Sequence, residues 1–110
     1  MEYLRNLPTE QGAALSGLIQ IQPGRVVSRT LSHTEGCQMT LLAFDAGEGV
    51  SETSYCGDTF YYVLEGCMPL ATAADRKFLS TGECIAVPAH TPHAIGGDGP
   101  FKLLQITLQA

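Results

Sequence analysis

Short apolar segments follow one another along the whole chain, separated by turns that contain glycine or proline. The clearest segment is 58–65 (DTFYYVLE), which is rich in the aromatic and β-branched residues that strands favour. Over much of 37–45, apolar and polar residues alternate with the two-residue period of a strand that has two different faces. Further strands are predicted over 16–22, 25–31, 67–73, 78–80, 83–87, 93–96 and 101–109.

About nine or ten short strands and no long helix predict an all-β domain, either a sandwich or a barrel. Residues 1–12 are mostly polar, with Leu4 and Leu7 as apolar anchors, and are interpreted as an N-terminal arm. The 110 residues suffice for one domain. A chain of this length buries roughly 65% of its unfolded surface, which is enough for one core without disulfides.

Charge and composition narrow the range of partners. The formal net charge is −5, and the nearest approach to a basic cluster is the pair Arg76 and Lys77, so we expect no binding to nucleic acid. No run approaches the roughly 18 apolar residues of a membrane span, and the first residues lack the apolar core of a secretory signal. We therefore expect a cytoplasmic protein without a membrane partner.

The four cysteines show neither a disulfide framework nor a metal-binding pattern. They are Cys37, Cys56, Cys67 and Cys84, and no two of them have the C-x-x-C spacing. In a cytoplasmic domain with its own core, this predicts reduced thiols that act as small apolar residues.

Two strand–turn–strand units stand out by the spacing of their glycines and prolines. The first is 47–66 (GEGVSETSYCGDTFYYVLEG), and the second covers 82–97 and begins GECIAVPAHTPH. Units of this kind build the pocket of a small β-barrel. They resemble the two motifs of the cupin family, G-x5-H-x-H-x3-E-x6-G and G-x5-P-x-G-x2-H-x3-N, with the spacing kept. The resemblance extends over about residues 35–108.

The metal-ligand positions of those motifs carry mostly other residues in this chain. In the first motif the two histidine positions hold Thr53 and Tyr55, and the glutamate position holds Thr59. In the second motif His93 occupies the histidine position, whereas His90 replaces the internal glycine. One of the four ligand positions therefore keeps the family residue.

The resemblance implies a single small antiparallel barrel of the jelly-roll type over residues 1–110, open at one end, with the arm 1–12 attached to it. Small barrels of this family commonly pair, so the resemblance also implies a homodimer. The apolar strands 16–31 and 101–108 are the candidates for the pairing surface, because an apolar strand at an open edge favours association.

Family members with the full ligand set hold Fe, Mn, Ni or Zn through three histidines and a carboxylate. A metal site needs about three protein ligands, so His93 alone would bind a metal weakly. Candidate substitute ligands are Tyr55, Cys56 and Asp58. One step along a regular strand reverses the facing, so Cys56 and Asp58 need an irregular segment, which the turn at Gly57 makes plausible. The cofactor is thus left open between none and a divalent transition metal.

The predicted pocket is formed by inward-facing side chains of the two motifs: Thr53, Tyr55, Thr59, Tyr61 and His93. We favour a barrel that binds a small molecule without a complete conventional metal site. Two alternatives stay open. One is a metal-dependent oxygenase or isomerase that uses His93 with substitute ligands. The other is a structural or regulatory homodimer whose barrel is filled. Whether the protein is an enzyme stays open, and no catalytic residue is assigned.

Overall fold

Eight antiparallel strands and one short 3-10 helix form the computed structural model, which describes residues 1–110. The helix spans Leu15–Leu18, and the strands are β1 (Val26–Thr34), β2 (Cys37–Phe44), β3 (Gly49–Thr53), β4 (Asp58–Ala71), β5 (Arg76–Ser80), β6 (Cys84–Val87), β7 (His93–Gly96) and β8 (Phe101–Leu108). The predicted all-β class is confirmed, with eight strands in place of the nine or ten expected. No helix has the length and apolar character needed to cross a membrane.

Three local differences separate the predicted strands from the structure. The strand predicted over 16–22 is wrong, because the apolar residues of this segment pack on a neighbouring sheet face and do not pair with a strand. The strands predicted over 58–65 and 67–73 are one strand, β4, which continues through Gly66 while its partner changes from β8 to β5. Strand β3 was missed because its sequence, GVSET, has almost no apolar residues to set a period.

Strand β4 is long enough to belong to both layers of the barrel. Its first half lies between β8 and β6, and its second half pairs with β5 and β7. The sheet order is β1-β2-β8-β4-β7-β3, so the two layers are joined through this one strand. A cluster of 10 buried apolar residues fills the space between them. Within it the rings of Phe44 and Phe101 stack with their centroids 4.4 Å apart.

A second apolar cluster lies on the outer face of β1 and β2, under the N-terminal segment. Its buried members are Ile19, Leu31, Leu41 and Ala43, and Leu15, Leu18 and Leu104 pack against them. The chain itself therefore covers part of the surface, 16–31 and 101–108, that the sequence favoured for self-association. The homodimer stays a prediction.

All four cysteines are free thiols. Cys56, Cys67 and Cys84 are exposed, and Cys37 is half-buried. The prediction that they act as small apolar residues is therefore wrong for the three exposed ones. Cys67 precedes the buried Met68 along β4, and successive strand residues point to opposite faces, so its thiol points away from the core.

Candidate functional site

The inner face of the three central strands changes from apolar to polar along the barrel. Residues paired across antiparallel strands point to the same side of the sheet, so β2, β8 and β4 form rows across this face. The rows are Leu42–Leu103–Val63, Thr40–Gln105–Tyr61 and Gln38–Thr107–Thr59. The first row belongs to the apolar core or packs against it. The other two rows form what we call the polar end of the barrel.

His93, the first residue of β7, is buried against this polar end with 2% of its surface exposed. Its Nδ1 lies 2.8 Å from the Thr91 carbonyl oxygen, and its Nε2 lies 2.7 Å from the Tyr61 hydroxyl. A carbonyl oxygen only accepts, so Nδ1 must carry a proton. In the neutral ring Nε2 then accepts a hydrogen bond from the Tyr61 O–H. Both ring nitrogens of His93 are thus engaged within the chain.

The Tyr61 hydroxyl stays protonated and donates the hydrogen bond to His93. Burial raises the pKa of Tyr61 above its ordinary value, and the neighbouring Tyr55 raises that pKa further. The phenol therefore keeps its proton. Next to it the hydroxyls of Thr59 and Thr107 lie 3.2 Å apart, and no buried side-chain polar atom in the chain lacks a hydrogen-bond partner. The buried polar groups at this end therefore form two separate hydrogen-bonded pairs, Tyr61–His93 and Thr59–Thr107, and both pairs are satisfied within the chain.

Two loops meet at the mouth of the barrel and hold Tyr55 beside His93. The His90 N–H donates to the Tyr55 carbonyl at 2.8 Å, and the Ala89 N–H donates to Asp58 Oδ1 at 2.8 Å. These bonds tie the loop before β4 to the loop before β7. As a result the Tyr55 ring lies 5.9 Å from the His93 ring, centroid to centroid.

A cavity of about 180 Å³ opens at this mouth. Its lining residues are Glu35, Gly36, Cys37, Gln38, Tyr55, Cys56, Thr107 and Gln109, and we call it the mouth cavity. Tyr55 and Thr107 also contact the buried polar pairs, through His93 and Thr59 respectively. They therefore form the wall between the open cavity and the satisfied polar groups behind it.

The structure places the five predicted pocket residues in two groups. Tyr55 lines the mouth cavity, whereas Thr59, Tyr61 and His93 are buried behind it. Thr53 is half-buried and pairs with His93 across β3 and β7. Contact of these residues with a ligand stays a prediction.

Gln38 and Thr107 line the mouth cavity but were not among the predicted pocket residues. Their signal was present as polar residues at alternate positions of β2 and β8. This pattern does not reveal that β8 lies between β2 and β4, so the sequence did not show that these polar residues come together.

The four candidate metal ligands, His93, Tyr55, Cys56 and Asp58, do not assemble into a metal site. Asp58 is exposed and its carboxylate accepts from the Ala89 N–H, while Cys56 is exposed at the mouth cavity. No group of three or more His, Cys, Asp or Glu side chains that could hold a metal ion exists in the chain. Since Tyr61 also engages His93 Nε2, the residues present do not fit the transition-metal centre that the full motif would hold.

We expect Tyr61→Phe to lower the free energy of unfolding by about 1–3 kcal/mol, because it leaves His93 Nε2 buried without a partner. Urea denaturation measures the change. Tyr62→Phe removes the same group from the neighbouring, half-buried residue and is the matched control, expected to stay within about 0.5 kcal/mol of the wild type. Equal losses in the two variants would show that the bond to His93 contributes nothing specific.

Comparison with known proteins gives a consistent set of relatives. A family model described as "Cupin domain" matches residues 40–107, and no curated protein matches the chain. The structure of a cupin superfamily protein from Desulfitobacterium hafniense DCB-2 is 40% identical, covers 97% of this chain and 98% of that one, and has a TM-score of 0.94.

Two further solved structures share the architecture. A conserved protein of unknown function from Streptococcus pyogenes is 24% identical over 100% of this chain and 96% of that one, with a TM-score of 0.94. At this identity the likeness shows the fold alone. A "Cupin 2 conserved barrel domain protein" from Leptotrichia buccalis is 28% identical over 86% of this chain and 46% of that one, with a TM-score of 0.83.

Proposed function

The chain belongs to the cupin family, and we propose that it binds one small polar molecule in the mouth cavity without a conventional metal centre. One observation carries the proposal. Along the inner face of β2, β8 and β4, apolar rows give way to rows of hydroxyl and amide side chains, and a cavity opens at that end. Small-molecule sites in proteins combine such a concave space with a few convergent polar groups.

The side chains around the mouth cavity supply both donors and acceptors. Gln38 and Gln109 contribute amides, Thr107 an aliphatic hydroxyl and Tyr55 a phenol. The cavity has a volume of about 180 Å³, which is small beside the roughly 300–1,000 Å³ of typical ligand pockets. The proposed ligand is therefore a molecule of few non-hydrogen atoms, or one short polar arm of a larger molecule.

A thermal-shift screen against small alcohols, amines and acids tests the proposal. A ligand present at about 100 times its Kd should add about 2.7 kcal/mol to the free energy of unfolding. Gln38→Leu, which removes an amide from the cavity lining, should reduce this gain. Gln20→Leu removes an exposed amide that does not line the mouth cavity and should leave the gain unchanged.

Metal analysis of protein purified without chelator completes the test. Substoichiometric metal is expected, because both His93 nitrogens are engaged. One tightly bound transition ion per chain would contradict the proposal and favour a metal-dependent oxygenase or isomerase.

A structural or regulatory homodimer with a filled barrel is the second candidate. It is favoured by the packing behind Tyr55, where Tyr61 and His93 satisfy each other and line none of the cavities. Under this alternative no compound in the screen shifts the unfolding transition, and light scattering finds a dimer.

A further inference from the structure

We propose that the ligand of the mouth cavity carries a positive charge, in the simplest case a primary ammonium group, which is held between the Glu35 carboxylate and the Tyr55 ring. The inference rests on the proposed function and specifies the chemical class of its ligand. It follows from the charges that line the cavity, from the places where the basic side chains of the chain lie, and from the aromatic ring on the cavity wall.

The charge of the lining is one-sided. Glu35, in the turn between β1 and β2, is its one charged residue, and no lysine, arginine or histidine belongs to the lining. The Glu35 carboxylate takes part in none of the three ion pairs of the chain. It is therefore available to a ligand, and a cleft lined by one sign of charge concentrates molecules of the opposite sign.

The six lysine and arginine side chains lie elsewhere. Four are held by other groups of the chain: Arg29 by the Leu18 carbonyl, Arg76 by Asp98, Lys77 by Asp75, and Lys102 by the Ser16 carbonyl and Glu65. Arg5 lines a separate cavity beside His33, and Arg25 precedes β1 at the end of the β1–β2 pair opposite the mouth. With a net charge of −5, and with no basic side chain in the lining, the cavity itself offers no charged partner to an anion.

The remaining lining residues suit an ammonium group equally well. Tyr55 is a lining residue of the cavity, and an aromatic face attracts a cation within about 6 Å of its centre. The amide oxygens of Gln38 and Gln109 and the hydroxyl of Thr107 accept hydrogen bonds. An ammonium group donates three such bonds, whereas a carboxylate would meet Glu35 with like charge.

Three probes of similar size test the inference: ethanolamine, ethylene glycol and glycolate. Each is titrated at low ionic strength and neutral pH, and binding is followed by NMR shifts of the cavity residues. An exposed ion pair and a cation–π contact together favour ethanolamine over ethylene glycol by about fivefold to tenfold, and glycolate should bind most weakly. Added salt should reduce the preference for ethanolamine without affecting ethylene glycol.

Substitutions of Glu35 and Tyr55 show which side chains cause the preference for ethanolamine, and a substitution of Glu10 is the control. Glu35→Gln should bring ethanolamine close to ethylene glycol while leaving the affinity for ethylene glycol unchanged. Glu10→Gln, which removes one negative charge from the exposed arm, controls for net charge and should keep most of the preference. Tyr55→Leu should lower the preference further when combined with Glu35→Gln.

The failures of the two proposals are distinguishable. If ethanolamine binds no more tightly than ethylene glycol, or if Glu35→Gln keeps the full preference, the inference of a cationic ligand is overturned. The proposed function survives that result as long as the thermal-shift screen yields a ligand that Gln38→Leu weakens. If the screen yields no ligand of any charge, the proposed function fails and the inference fails with it.

Discussion

Replacing Gly66 by alanine is expected to lower the free energy of unfolding by at least about 3 kcal/mol, among the larger effects of single substitutions. Gly66 has a φ of +83°, in the left-handed region that other residues avoid. A Cβ at this position would lie 2.5 Å from the Pro100 carbonyl oxygen and 3.1 Å from Phe101 Cα. Both are backbone atoms, so neither can rotate away, and Phe101 carries the ring that stacks on Phe44 in the core.

Gly82→Ala is the matched control, because it shares the backbone strain of Gly66→Ala and lacks the close approach. Gly82 has a φ of +88°, and a Cβ there would meet no atom within 4 Å. Its loss should be about 1–2 kcal/mol, the cost of a left-handed conformation alone. Urea denaturation followed by tyrosine fluorescence measures both variants, since the chain has no tryptophan. Equal losses would mean that the contact with Pro100 carries no weight.

His93→Ala is expected to lower the free energy of unfolding by about 3–5 kcal/mol. The His93 ring is 2% exposed, and its centroid lies 5.7 Å from that of Tyr61 and 5.9 Å from that of Tyr55. Its removal leaves a cavity and a buried Tyr61 hydroxyl without an acceptor. Ionisation of this hydroxyl would not offset the lost hydrogen bond, because burial raises the pKa of Tyr61 above its ordinary value.

His33→Ala serves as the control, since His33 is exposed on β1 and its loss should change stability by less than about 0.5 kcal/mol. Measuring the free energy of unfolding with and without a chelator then distinguishes a packing role of His93 from a role in holding a metal. For a packing role, the wild type is as stable with chelator as without it, and His93→Ala is destabilised in both conditions. A chelator that brings the wild type down to the stability of the variant would contradict the packing role.

The double variant Tyr61→Phe/His93→Ala measures how far the two side chains act as one unit. Contacting residues typically show coupling energies of about 0.5–3 kcal/mol, so the double variant should lose less stability than the sum of the two single losses. Strict additivity would mean that the hydrogen bond between Tyr61 and His93 does not contribute to stability.

In this chain the retained ligand position, His93, and one altered ligand position, Thr59, have a shared physical consequence. Thr59 and His93 each find a partner on the inner face, in Thr107 and Tyr61 respectively. The polar groups at these two positions are thereby satisfied by other side chains of the chain. The motif spacing still serves the fold, since Gly66, which closes the first motif, allows the close approach of β4 to the turn before β8.

Local sequence was sufficient where a strand has a strong period of its own. In β4 the alternation of Thr59, Tyr61 and Val63 predicted an inward face, and all three are buried. Side chains alternate across a strand by geometry alone, so no knowledge of neighbouring strands was needed. The same reasoning failed for 16–22, where apolar residues without pairing partners packed on an outer sheet face.

The sequence by itself determined the all-β class, the turns at Gly47 and Gly82 and the inward face of the first half of β4, because all of these follow from local period and turn chemistry. The turn expected at Gly66 is absent, since β4 continues through it. Only the tertiary structure decided that Gln38, Thr107 and Thr59 lie in one row, since β8 comes to lie between β2 and β4. It also decided that the Tyr61 hydroxyl is hydrogen-bonded to His93 Nε2, the ring nitrogen through which His93 would bind a metal. Which strands become neighbours depends on long-range packing of their faces and edges, and the alternation within a single strand carries no record of its partner.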